Sequence, residues 1–102
     1  MDIVSDGSTL VLAGQFDVRS TLEVRAAIYD HLASTVDDVV VDLTEVTTVD
    51  LTALKVLAVA TRSAARDGRH LRLRGCGPAV RRLLHLSHLF RLVDVEREPI
   101  SA

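Results

Sequence analysis

The chain has no tryptophan, one tyrosine (Tyr29) and two phenylalanines (Phe16 and Phe90). Aromatic rings therefore cannot supply its interior. A core must come from Leu, Val, Ile and Ala, which is feasible because 48% of the 102 residues are hydrophobic. A single cysteine, Cys76, excludes an intramolecular disulfide and fits a reducing compartment. No apolar run approaches the ~18–20 residues of a membrane span. The first residues, Met1 to Gly7, lack the basic region and apolar stretch of a secretory signal. The expectation is a soluble, cytoplasmic protein without direct membrane insertion. Linkers, repeats and low-complexity stretches are also missing, which predicts one domain over residues 1–96 and a mobile tail over 97–102. Lysine is nearly absent, and Lys55 is the only one.

Basic residues are scarce in the first half as well. Residues 1–50 carry ten acidic side chains and only Arg19 and Arg25 as cations, a net of −8. Residues 51–102 carry ten basic and four acidic side chains, a net of +6. Unlike halves can attract each other within one fold or present opposite faces to partners. The total of −2 gives no general attraction to nucleic acid or anionic membrane.

Along the chain, Ile3–Ser5 and Thr9–Leu12 are β-prone, with Asp6-Gly7 between them as a hairpin signal. Ala13–Val18 reads as a connection. Ser20 or Thr21 is placed to cap a helix, with an apolar stripe of Leu22, Ala26, Ile28, Tyr29 and Leu32. Val39-Val40-Val41 is a β-branched run of the type seen in strands covered on both faces. Leu43–Val49 reads as a Thr-rich loop. Asp50 is a good N-cap for a helix over Leu51–Arg66 that Gly68 ends. Leu71–Arg74 alternates like a strand. Gly75-Cys76-Gly77-Pro78 is a turn opening a helix to about Leu86. Ser87–Phe90 suggests a short turn, and Leu92–Val95 a last strand. The order predicts an α/β fold: a mixed sheet of four or five strands, an N-terminal hairpin then parallel crossovers, with three or four helices packed on it.

The second helix is the most informative element. At about 100° per residue, Ala53, Leu54, Leu57, Ala60 and Ala64 share one face, and Leu51, Lys55, Arg62 and Arg66 the opposite one. Thr52, Val56 and Val59 lie at the margin of the outer side. The helix start thus offers Leu51 and Thr52 to the surface. A hydroxyl there lies near unsatisfied backbone N–H groups and the positive end of the helix dipole. Thr52 is the candidate phospho-acceptor, and a phosphate would add about −1.5 to −2 charge. A purely structural role, with Thr52 supporting helix initiation, is open from spacing alone.

Several motifs in order resemble the STAS family of anti-sigma-factor antagonists and sulfate-transporter domains. They are Leu12-Ala13-Gly14-Gln15-Phe16-Asp17, Val39–Val46, Val49-Asp50-Leu51-Thr52-Ala53-Leu54, Leu71–Leu73 with Gly77–Leu84, and Ser87–Phe90. The resemblance runs from Thr9 to Val95. It implies a non-enzymatic docking protein whose partner is an anti-sigma factor, a serine/threonine kinase of the histidine-kinase-like ATPase type. It implies release of a sigma factor on binding, and loss of the complex when the first hydroxyl after the motif Asp is phosphorylated. Here that position is Leu51, which has no hydroxyl; Gln15 replaces the usual Glu and Ala53 the motif Gly. Either Thr52 has become the acceptor, or the protein binds constitutively; the missing hydroxyl favours the second. The implied partner-binding residues are Phe16, Asp17, Val18, Asp50, Leu51, Thr52, Lys55 and Val59. The alternatives are an accessory subunit of an ABC lipid transporter or a part of a stress-sensing scaffold, and, more weakly, a small-ligand sensor.

Other patterns point to less. His85-x-x-His88 lacks further metal ligands at useful spacing, and Gly75-x-Gly77 lacks the third glycine of a dinucleotide fingerprint. Asp42 and Asp50 bracket a loop, without a pocket signal for acid–base chemistry. The arginines from Arg62 to Arg82 have no interleaved aromatics, which argues against nucleic acid. No cofactor or metal is expected, and the oligomeric state is open.

Overall fold

The computed structural model describes residues 1–96. The tail expected over 97–102 lies outside the described residues. Strands β1 (Asp2–Asp6) and β2 (Thr9–Phe16) form the expected hairpin, closed where Asp6 pairs with Thr9. Gly7 turns the chain at φ +60°, a region that side chains with a Cβ rarely enter. Helix α1 (Thr21–Ser34), strand β3 (Val39–Val49), helix α2 (Leu51–Arg66), strand β4 (Leu71–Arg74) and helix α3 (Pro78–Leu86) follow. A 3-10 turn (Leu89–Arg91) and strand β5 (Asp94–Val95) complete the order. The five strands lie in chain order, β1 antiparallel to β2 and every later pair parallel. This is the expected α/β architecture, with three α-helices among the described residues.

One sheet face carries the core. Leu10, Leu12, Val39, Val41, Leu43, Leu71 and Leu73 are buried at alternate positions, and Val24, Ile28, Leu54, Leu57 and Leu84 of the helices close over them. The other face is open, which corrects the reading of Val39–Val41 as covered on both sides. Val40 is half-buried in register with Thr9 and Arg72. A β-branched run reports fit to a pleated surface and does not count covering layers.

On the open face Arg72 lies between Asp38 and Asp94, at 3.9 and 3.4 Å, and Arg74 meets Glu96 at 3.3 Å. The acidic and basic halves therefore touch at Asp38–Arg72. The other two pairs join residues of the second half.

Two stretches expected to be loops are strand. β2 runs on to Phe16 and β3 to Val49, pairing Ala13 with Glu45, Gly14 with Val46, Gln15 with Thr48 and Phe16 with Val49. The register shifts twice along this pair. Threonine is β-branched, so the Thr-rich stretch was a strand signal.

The apolar stripe of α1 is also corrected. Of that stripe Ile28 is buried and Leu32 packs half-buried against the core, but Leu22 is 78% exposed and Ala26 is exposed, and Val24 and His31 are buried instead. Both faces of α1 hold apolar residues, and an imidazole ring can pack like an apolar body. Ser20 does not cap α1 through its side chain. Its hydroxyl instead accepts the Asp17 N–H at 3.3 Å and faces the carbonyls of Gln15 and Asp17 at 3.1 and 3.2 Å, tightening the turn ahead of the helix. No helix among the described residues is long and apolar enough to cross a membrane.

Candidate partner-docking site

The site begins where β2 and β3 end side by side. The Asp50 N–H donates to the Phe16 carbonyl at 3.3 Å, holding the start of α2 against the turn after β2. The Asp50 carboxylate finishes the junction. Oδ1 accepts the Ala53 N–H at 2.8 Å, an N-cap, and Oδ2 accepts the Val18 N–H at 2.9 Å. One side chain thus satisfies two backbone donors on different elements.

Phe16 does not reach the surface. It is 0% exposed and belongs to the core, which corrects its expected part in docking. It is the largest buried side chain among the described residues, in a chain with few aromatic rings. Val18, two residues on, is 61% exposed. Asp17 pairs with Arg19 at 2.7 Å. The side-chain hydrogen bond from Arg19, helped by its backbone N–H, holds the Asp17 carboxyl below the usual range. The Arg19 guanidinium also donates to Gln15 Oε1 at 2.9 Å, so a neutral side chain takes a contact there.

On α2 the helical reading of faces holds. Ala53, Leu54, Leu57, Ala60 and Ala64 are buried, and Leu51, Thr52, Lys55 and Val59 are exposed. Leu51 is 40% exposed in the first turn, and Val59 is 59% exposed two turns on. Val18, Leu51, Thr52, Lys55 and Val59 are thus available to another molecule, and the half-buried Asp17 beside them is held by Arg19.

Three residues not expected at the docking surface join them, two of which, Leu22 and Tyr29, the sequence reading places in the α1 stripe. Leu22 stands exposed at the start of α1. Arg25 and Tyr29 form the α1 wall of a groove of ≈ 360 Å³, whose α2 wall is Thr52, Lys55, Val56 and Val59. The signal was present: Leu22, Arg25 and Tyr29 fall three and four residues apart, on one helical face.

Other candidate groups are engaged locally. Asp42 accepts the N–H and hydroxyl of Thr44 at 2.9 and 2.6 Å. His85 packs on Phe90 with ring centroids 4.8 Å apart. Cys76 is buried, and that burial pushes its thiol up, with Arg81 opposing the shift. Arg69 donates to the carbonyls of Leu32 and Asp37, and Arg81 to that of Cys76. The arginine run is therefore dispersed. Among the described residues no three His, Cys, Asp or Glu side chains converge on a metal position.

Comparison with known proteins adds a family to this geometry. A STAS-domain-containing protein of Pseudomonas aeruginosa is 31% identical over 87 residues, covering 85% of each chain. The fold is similar to that of an anti-sigma factor antagonist from Mycobacterium paratuberculosis, with TM-score 0.76, 22% identity, and coverage of 94% of this chain and 83% of that one. It is also similar to the anti-sigma factor antagonist SpoIIAA in its unphosphorylated form, with TM-score 0.73, 16% identity, and coverage of 95% and 88%. A family model described as "Mlab, STAS domain" matches residues 1–94. With that match over nearly the whole described chain, beside the 31% identical relative, the chain belongs to the STAS domain family.

Proposed function

We propose that this protein is an anti-sigma-factor antagonist that works by docking, not catalysis. Its partner in this reading is a kinase-type anti-sigma factor of the histidine-kinase-like ATPase class. The docking surface is Asp17 and Val18 of the turn after β2, and Leu51, Thr52, Lys55 and Val59 of α2. The observation that carries the reading is Leu51: an apolar side chain 40% exposed at the first position of α2, beside a turn that Asp50 holds in place. Leu51 has no hydroxyl to phosphorylate. The antagonist therefore binds constitutively, with apolar contact where a phosphate switch would act. Thr52, also exposed, is the only hydroxyl left in that first turn after Asp50.

The test is capture of partners by the tagged chain from its own cells, with identification by mass spectrometry. Recovery of a histidine-kinase-like ATPase is expected. Incubation of the purified chain with that kinase and ATP, with Thr52→Ala as control, is expected to leave Thr52 unmodified; phosphate on Thr52 overturns the constitutive reading. A second reading, an accessory subunit of an ABC lipid transporter, is kept because the matched family description names Mlab. Recovery of an ABC ATPase supports it.

A further inference from the structure

The groove between α1 and α2 has a chemistry of its own. Tyr29, Val56 and Val59 give it apolar walls, Thr52 one hydroxyl, and Arg25 and Lys55 two cations. No lining residue is acidic. Among the described residues neither Arg25 nor Lys55 joins an ion pair; the pairs formed use Met1, Arg19, Arg72 and Arg74. The whole of α2 carries Lys55, Arg62 and Arg66 and no acidic residue. A chain of net charge −2 thus concentrates unpaired positive charge along one helix and its groove. Unpaired cations around an apolar cleft are complementary to carboxylates flanking apolar side chains.

We propose that this groove receives an acidic amphipathic segment of the partner protein. Its apolar side chains lie over Val56 and Val59, and its carboxylates meet Arg25 and Lys55. The proposal rests on the docking reading above and adds the chemistry of the segment that docks. Nucleic acid fits less well, because the groove offers one ring, Tyr29, and that ring already has the Arg25 guanidinium 5.7 Å from its centroid. A membrane surface fits less well, because the cations border a concave cleft between two helices.

The full chain, carrying a photoreactive benzoylphenylalanine in place of Val59, is irradiated with the captured partner, and the cross-linked peptide is sequenced. A segment rich in Asp or Glu with apolar residues between them is expected. A neutral or basic segment, or no protein cross-link, overturns the proposal. In parallel, the Arg25→Glu, Lys55→Glu double variant is expected to bind the purified partner about tenfold or more weakly. Unchanged affinity overturns the proposal. So does binding of the wild-type chain to phosphatidylglycerol vesicles or duplex DNA that the double variant loses. The identity of the captured ATPase judges the docking reading, and the charge of the cross-linked segment judges the groove, so either can fail alone.

Discussion

Asp50 and Val18 are 32 positions apart, and the carboxylate of one accepts the backbone N–H of the other at 2.9 Å. The second oxygen of the same carboxylate caps α2 through Ala53 at 2.8 Å. The turn after β2 and the first turn of α2 are thus one unit. Its two apolar projections, Val18 and Leu51, are presented together without either being buried.

Asp50→Ala is expected to cost about 1–2 kcal/mol in urea unfolding, from a lost N-cap and an orphaned Val18 N–H. Asp50→Asn retains one acceptor oxygen and is expected to cost less. Asparagine cannot serve both donors, so the Val18 amide should exchange with solvent faster while α2 stays capped. Equal exchange in the Asp50→Asn variant and the wild-type protein counts against the coupling.

Leu51→Glu is expected to weaken partner binding about tenfold or more, by placing a charge in an apolar contact. It should leave circular dichroism and melting temperature unchanged, because a carboxylate in the first helical turn suits the dipole. Undiminished binding moves the docking face elsewhere.

Phe16 and Val18 should respond in opposite ways. Phe16→Ala is expected to cost about 3–5 kcal/mol, a large part of the stability of a small domain. Val18→Ala should stay within about 0.5 kcal/mol and act on binding alone. Chemical denaturation of the two variants measures the contrast.

Cys76 should be inert to a thiol reagent such as Ellman's in the native protein at neutral pH and react fully once unfolded. Its folded thiol is pushed up by burial, so its stabilising contribution is present below the ordinary thiol range and lost as pH rises through the folded value. Rapid native labelling contradicts this.

Gly75 has φ +70° and lies against Thr44, whose side-chain oxygen and backbone a Cβ would strike. Gly75→Ala is therefore expected to destabilise by more than about 1 kcal/mol, read as a lower urea midpoint. An unchanged midpoint shows that the β4–α3 turn can relax.

Where one helical face was clearly apolar, the residues alone were enough. In α2 five small or aliphatic side chains share one side and the cations the other, so both its burial and the exposure of Leu51 and Thr52 were legible. In α1 they were not. Leu22, Ala26 and Tyr29 compete with Val24 and His31 for the place beside Ile28, and only packing against the sheet and α2 chose the second set.

The order of strands and helices, the capping of α2 by Asp50 and the Gly75–Pro78 turn follow from local chemistry: periodicity, side-chain acceptors and backbone permissiveness. Tertiary structure decided the rest. It turned Ala13–Phe16 and Leu43–Val49 into strand, because their backbone groups found partners where β2 and β3 run side by side. It sent Phe16 inward, left Val40 on an open face, and brought Arg25 and Tyr29 across from Lys55 and Val59. Such contacts between residues distant in the chain depend on how whole elements pack, and no local pattern encodes them.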